Sequence, residues 1–212
     1  MITIKKTNQH RILCGSRFSA PTPCLFLDRD GVLIKDRHYL CSPDDVQLCP
    51  GAKKLLEYAK TFNWPIVVVT NQSGIARGLF DWAAYEQVTD RLLFLLGSEA
   101  PLTAIYANGS GPDEQNSTWR KPSPGMLLAA AEDLNVDLSN SLLAGDRLSD
   151  LQAGAEAGLP LVIHLLTGHG QNERQAVEIW GSQNQHAGFE IILINSLLDF
   201  PIYKFTNSYQ QK

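Results

Sequence analysis

The sequence predicts an α/β fold, a central parallel sheet with helices on both faces and no large cap domain. Three observations lead there. Short apolar runs alternate with segments of helical periodicity along most of the chain. One run, PIVVVT at 65–70, is too continuously apolar and β-branched to have a wet face, so it reads as a parallel strand covered on both sides. The polar clusters that stand out fall after predicted strands, where open parallel sheets bind their ligands.

Taken in order, residues 1–22 are polar without a clear period and are expected to form a loose extension ending at Pro21 and Pro23. Residues 23–200 then form a single domain, followed by a tail over 201–212. Cys24 to Asp28 is the first strand, and Val46 to Leu48 a brief edge element. Pro50 opens a helix through Phe62 whose Leu55, Leu56 and Ala59 share a stripe. After the strand at 65–70, Asp81 caps a helix that runs to Leu96 and stops at Gly97. Thr103 to Ala107 is a strand, NGSGPDEQNSTWRK a long loop, and Ser123 to Leu134 a helix with Pro124 in its first turn. Ser141 to Ala144, Leu148 to Ala157 and Leu159 to Leu165 give strand, helix and strand. Glu173 to Trp180 and Ile191 to Asn195 add a last helix and strand. The stretches Gly31 to Ile66 and Gly78 to Trp119 hold little beyond one helix each, too little for a mobile cap. An open site follows, shaped by the loops Asp36 to Tyr39 and Asn108 to Trp119.

Composition removes several classes of function. The 212 residues carry 18 Lys plus Arg against 22 Asp plus Glu, a net charge of −4, which argues against a protein that coats nucleic acid. No run approaches the ~18 apolar residues of a membrane span, and MITIKKTNQHRILCG lacks a signal-peptide core. Cys14, Cys24, Cys41 and Cys49 show no Cys-x-x-Cys pair, as expected of reduced thiols in a cytoplasmic protein. A monomer with no membrane or nucleic-acid partner is the expectation.

The chemistry begins at FLDRDGVL, residues 26–33, where an apolar strand runs into two aspartates two positions apart. Carboxylates at that spacing share a face until the chain turns, here at Gly31, and two close anions call for a cation. Asp28 and Asp146, with a backbone carbonyl and waters, make an oxygen-only shell that suits Mg²⁺. Asp28 then serves as a carboxylate nucleophile toward phosphorus, forming an aspartyl-phosphate. Asp30 is left to give a proton to the leaving alkoxide and later to take one from water. The Thr70 hydroxyl and the Lys121 ammonium supply what a phosphoryl group needs during transfer.

These residues lie in FLDRDG, VVVTNQSG, RKPSPGM and GDRLSD, which appear in the order of the motifs of the haloacid dehalogenase superfamily. More closely, LDRDGV with VVVTNQSGIARG and RKPSPGM resembles the D-glycero-D-manno-heptose 1,7-bisphosphate phosphatases and the related histidinol-phosphate phosphatases, over roughly residues 24–167. The resemblance implies a Rossmann-like core and a cytoplasmic hydrolase of carbohydrate metabolism that serves lipopolysaccharide precursor synthesis. It implies Asp28 as nucleophile, Asp30 as acid/base and as a metal ligand through its carbonyl, and Asp146 as the other side-chain ligand. Thr70 and Lys121 would stabilise the phosphoryl group, while Asn71, Arg120 and Arg147 would contact substrate. Asp36, Arg37, His38 and Tyr39 match the family's substrate loop, although glycine is usual where His38 stands.

Other departures bear on the cofactor. Many relatives hold Zn²⁺ through three cysteines and a histidine just before Arg-Lys-Pro, but Tyr106 to Trp119 contains neither residue type here, so Mg²⁺ without zinc is expected. Val32 replaces the threonine that often follows Asp-x-Asp-Gly. Asp150, one turn after Asp146, reads either as a group near the metal or as a first-turn acid favoured by the helix dipole. His164 in its apolar strand reads as a satisfied core histidine, and Trp119 as loop packing.

A Mg²⁺-dependent phosphomonoesterase for a small phosphorylated sugar is the leading expectation, with heptose 1,7-bisphosphate first. Histidinol phosphate or another sugar phosphate is the alternative substrate. An idle phosphate-binding regulatory module is the rival of another class, disfavoured because a pure binder has no use for Asp30. A second substrate phosphate would be met by Arg120, Arg147, Arg77 and Arg37, whose planar forks bind phosphate oxygens in pairs.

Overall fold

The computed structural model describes residues 1–114, 117–184 and 187–207. Eight strands form one sheet: β1 (Ile2–Lys6), β2 (Gln9–Leu13), β3 (Leu25–Leu27), β4 (Ile66–Asn71), β5 (Ala104–Asn108), β6 (Leu142–Gly145), β7 (Leu161–Leu165) and β8 (Glu190–Ile194). Their spatial order is β1-β2-β5-β4-β3-β6-β7-β8, parallel from β5 through β8 and antiparallel at the β1–β2–β5 edge. The chain runs from β3 outward through β4 to β5, then returns to the other side of β3 with β6. The strand order therefore reverses at β3, and the carboxyl ends of β3, β4 and β6 flank the crevice that such a reversal opens.

Alternation along the buried strands divides the core between two faces. Leu25, Leu27, Ile66, Val68, Ile105 and Ala144 point to the side covered by α1 (Ala52–Thr61) and α2 (Trp82–Leu96). Phe26, Val67, Val69, Tyr106 and Leu143 point to the side covered by α3 (Gly125–Leu134). Further helices are α4 (Leu148–Glu156), α5 (Gly170–Gln183) and the short α6 (Lys204–Asn207). The Asp81 carboxylate caps α2 by accepting from the Ala84 amide at 2.9 Å.

Apart from the edge element at Val46 to Leu48, the predicted strands and helices from residue 24 to residue 195 are present within a few positions of their expected ends. Two expectations need correction. Residues 1–22 are not all loose: β1 and β2 form a hairpin, and β2 pairs in register with β5 from Gln9↔Asn108 to Leu13↔Ala104. The tail expected from 201 is packed in as far as Phe205, which is fully buried and lies against Trp64 and Phe200 at centroid distances of 5.0 and 5.5 Å. The stretch expected as a brief edge element at Val46 to Leu48 makes a single bridge, Leu48 to Ile34.

None of the four cysteines forms a disulfide. Among the described residues, no helix is long and apolar enough to cross a membrane. Only a loop with one short 3₁₀ turn (Pro43–Asp45) and α1 separate β3 from β4, and only α2 with its flanking turns separates β4 from β5, so neither interval holds a cap domain.

Candidate active site

Strand β3 ends at Leu27, and the chain then folds on itself, with the amides of Leu33 and Ile34 donating to the Arg29 carbonyl at 2.9 and 3.0 Å. Gly31 makes this turn at φ 83°, and a Cβ there would collide with the Asp146 carboxylate, so glycine is required twice over. The turn sends Asp28 and Asp30 to different partners. Asp28 is buried and pairs with Lys121 Nζ at 3.0 Å. Asp30 is held by Arg29, through Nε and Nη2 at 2.9–3.1 Å, and by Gln72 Nε2 at 2.8 Å. The same Gln72 nitrogen donates to Thr70 Oγ1 at 2.8 Å, which sets Thr70 and Asp30 side by side.

From the end of β6, Asp146 enters the crevice with no exposed surface. Its Oδ2 accepts from the His169 amide at 2.6 Å, while the buried Oδ1 has no protein partner. Gly168 makes the same close approach to Asp146 as Gly31 does from the other side, at φ 56°. Behind it, His164 Nδ1 accepts from Arg174 Nε at 3.0 Å, which puts the ring proton on Nε2, 3.0 Å from the Asp146 carbonyl. Burial pushes the His164 pKa down and keeps the ring neutral for that bond.

Lys121 is the hub. Its ammonium lies 3.0 Å from Asp28, 2.6 Å from Asp150 and 2.7 Å from the Val69 carbonyl. Burial pulls its pKa down, but Asp150 and Asp28 more than offset this, so it stays charged. The Asn71 side chain exchanges two hydrogen bonds of 3.1 Å with the Lys121 main chain, so Asn71 positions the lysine it follows in space. Asp150 does more than either sequence reading allowed. It is fully buried, pairs with Lys121 through one oxygen, and with the other accepts from the Arg147 amide at 3.0 Å to cap α4.

Asp28, Asp146 and Asp150 each bring a carboxylate oxygen within 4.8 Å of the others. Burial first pushes the pKa values of Asp28 and Asp146 up; Lys121 opposes this at Asp28, while neighbouring carboxylates add to it, Asp150 and Asp30 at Asp28, and Asp28 and Asp150 at Asp146. One lysine cannot balance such a group. An oxygen-only donor set with a free buried oxygen, Asp146 Oδ1, fits a hard divalent cation such as Mg²⁺. Asp30 contributes no carboxylate oxygen to this cluster.

Of the four arginines, Arg120 is half-buried and bonds the Ser110 carbonyl through Nη1 at 2.9 Å. Burial, then the guanidiniums of Arg147 and Arg77, hold its pKa down, which puts three cations in one field. Arg77 also lies over the Tyr39 ring at 5.7 Å. Arg37 turns elsewhere, to Gln47 Oε1 at 3.3 Å. Asp36 pairs with His169 at 2.7 Å, and His38 and Tyr39 both have left-handed backbones, φ 49° and 56°. The first of these is the position where the resemblance leads one to expect glycine. Trp119 is packed inside, 5.9 Å from Tyr106 and capped by Arg11.

Sequence reasoning passed over Arg29, Gln72 and His169 as working residues. Arg29 and Gln72 stood inside quoted motifs, but only the folded turn turns them toward Asp30. Arg29 is buried, stacked on the Tyr85 ring at 5.0 Å, and carries a charge that Asp30 balances.

Comparison with known proteins gives concordant findings. Residues 118–191 match the family model described as HAD-hydrolase-like. A D-glycero-beta-D-manno-heptose-1,7-bisphosphate 7-phosphatase of Mesorhizobium japonicum is 43% identical over 68% of this chain and 70% of its own length. The corresponding alpha enzyme of Burkholderia mallei is 39% identical over 64% of this chain and 75% of its own. Among solved structures, the D,D-heptose 1,7-bisphosphate phosphatase from B. bronchiseptica complexed with magnesium and phosphate superposes with a TM-score of 0.71. It is 33% identical, over 83% of this chain and 94% of that one.

Proposed function

The chain belongs to the haloacid dehalogenase-like heptose bisphosphate phosphatases, and we propose that it is a Mg²⁺-dependent phosphomonoesterase that removes one phosphate from a heptose 1,7-bisphosphate. The observation that carries this reading is the separation of two carboxylates by their partners. Asp28 lies among Lys121, Asp146 and Asp150, and Asp30 stands apart with Arg29, Gln72 and Thr70.

In the first step a carboxylate oxygen of Asp28 forms a bond to phosphorus as the bond from phosphorus to the sugar oxygen breaks, and Asp30, which enters this step protonated from solvent and leaves it as the carboxylate paired with Arg29, gives that oxygen its proton. In the second step Asp30, now a carboxylate, takes a proton from water. The water oxygen attacks phosphorus, and the Asp28–phosphate bond breaks to release inorganic phosphate. Lys121 and Thr70 hold the phosphoryl oxygens through both steps. Asp28, Asp146 and the Asp30 carbonyl would hold Mg²⁺, which when bound offsets the negative charge of the carboxylates and the incoming phosphoryl group.

Asp36, His38, Tyr39, Arg120 and Arg147 face the rest of the substrate in this reading, whereas Asn71 is spent on the Lys121 main chain and Arg37 on Gln47. The shared field of Arg120, Arg147 and Arg77 favours a substrate with a second phosphate over histidinol phosphate. The Tyr106 to Trp119 stretch has neither Cys nor His, so in this reading the loop does not hold zinc. Near-balanced charge and four free thiols support a protein working as a cytoplasmic monomer, with no nucleic-acid or membrane partner.

Phosphate release with Mg²⁺ from both anomers of heptose 1,7-bisphosphate, from a heptose monophosphate and from histidinol phosphate tests the proposal. The bisphosphate should give the highest kcat/KM. Preference for histidinol phosphate would move the activity to the related family, and release from none of them would favour the phosphate-binding module.

A further inference from the structure

Apart from the buried aspartates, a second set of side chains has the character of a metal site. Asp36, His38 and His169 each place a ligand atom within 4.8 Å of the others. They come from two segments, the loop after β3 and the turn before α5, and they line an open cavity of about 490 Å³ whose wall also includes Lys35, Cys49, Thr167 and Asn172. Unlike the aspartate cluster, this set offers two imidazoles and one carboxylate. Its donors suit borderline transition ions, whereas Mg²⁺ prefers oxygen alone.

Preparation of the ligands points the same way. Asp36 Oδ1 accepts from the His38 amide at 2.9 Å, which fixes the carboxylate and leaves Oδ2 turned to His169 Nε2 at 2.7 Å. His38 and Tyr39 are held left-handed in succession, a conformation that side-chain-bearing residues adopt at a cost. That backbone brings the His38 ring to 6.1 Å from the His169 ring, edge to face. The nearest lysine in sequence, Lys35, bonds Gln47.

We propose that Asp36, His38 and His169 form a second metal site, selective for a borderline divalent ion such as Zn²⁺, whose occupation ties the substrate-side loop to the turn before α5. Three protein ligands leave a fourth position for water. Because the His169 amide also donates to Asp146 at 2.6 Å, the tie ends on a residue of the aspartate cluster. The site rests on its own ligand set and does not depend on the phosphatase reading.

The test uses the full chain, stripped with chelator and returned to millimolar Mg²⁺ so that oxygen-only sites are filled. Calorimetric titration with Zn²⁺ should show one further ion per chain, and Co²⁺ should give visible bands of low-coordinate nitrogen and oxygen ligation. Loss of an outer-shell partner alone costs about 10–100-fold in metal affinity. His38→Ala and His169→Ala should therefore each weaken Zn²⁺ by about 100-fold or more, with circular dichroism unchanged. Cys41→Ser and Cys49→Ser should leave the titration as it was. The proposal fails if wild type binds no Zn²⁺ tighter than about 100 µM. It fails equally if the histidine variants bind as wild type does, or if the cysteine variants lose the ion.

Discussion

Asp28 and Asp30 have different neighbours, and the difference decides what their loss does. Asp28→Asn keeps the shape of the cluster but removes the proposed nucleophile, so turnover should vanish while the melting curve survives. Asp30→Asn keeps the nucleophile and should slow phosphate release by the ~10²-fold or more that general acid/base help supplies. Comparable residual rates for the two variants would remove the covalent step. Lys121 carries the electrostatic load of Asp28 and Asp150. Lys121→Met leaves buried carboxylates without their fixed cation, and urea unfolding in Mg²⁺-free buffer should show a loss of about 3–5 kcal/mol. Saturating Mg²⁺ should recover part of that loss. That Asp28, Asp30, Thr70, Lys121 and Asp146 would meet at one place was legible in sequence, because carboxylate, hydroxyl and amine at strand ends are scarce and chemically specific. Arg29 and Gln72 were not, since nothing local says that a buried arginine bonds the aspartate beside it. Asn71 shows the opposite limit. Its place in the motif was visible, but its use of both amide ends on the Lys121 main chain depends on two loops meeting.

At the scale of elements, the buried parallel strands could be read because each is an apolar run, and α2 because Asp81 and Gly97 bracket it. The hairpin could not. Every residue of β1 is exposed, and β2 buries only His10 and Ile12, so no alternation rises above the polar background. Its turn does work on the loop that leads to Arg120: the Gly109 amide donates to the Asn8 carbonyl at 2.8 Å, and Asn8 Nδ2 donates to Glu114 at 3.0 Å. Asn8→Ala removes the second bond. We expect KM for the bisphosphate to rise by roughly 2–10-fold with kcat retained, the equivalent of one hydrogen bond at about 0.5–1.5 kcal/mol. An unchanged KM would separate the hairpin from substrate binding. His10 attaches the hairpin to α2, with its Nε2 2.7 Å from Glu86 and its ring 5.0 Å from Trp82. Burial holds its pKa down in spite of Glu86, with Lys5 acting in the same direction as burial. The released hairpin therefore binds a proton that the docked one refuses. Docking should weaken as pH falls below about 6.5. Amide exchange of β2 measured at pH 7.5 and 5.5 should show the loss, and His10→Gln should flatten it.

For the whole molecule, the aspartate cluster makes the cation a stabilising ligand. Free Mg²⁺ at a hundred times its Kd should add about 2.7 kcal/mol. For a domain of this size that is roughly 5–10 °C in Tm, measurable by a thermal scan with and without chelator. A shift that persists in Asp146→Asn would place the ion elsewhere. The convergence of distant motifs on one rim was legible, because a parallel sheet with helical crossovers leaves few places for strand ends to go. What the sequence hid is the outer border of that sheet, and the border has a bearing on how the chain reaches its fold. Strand β2 docks against β5, a segment that follows it by nearly half the chain. During synthesis the hairpin must therefore wait, undocked, for a partner that does not yet exist. A stretch as apolar as β5 would recruit other chains in that interval; ITIKKTNQHRIL, with its lysines and short apolar content, stays in solution until the docking surface arrives. The polarity that concealed the hairpin from sequence reading is thus a requirement set by the timing of its assembly.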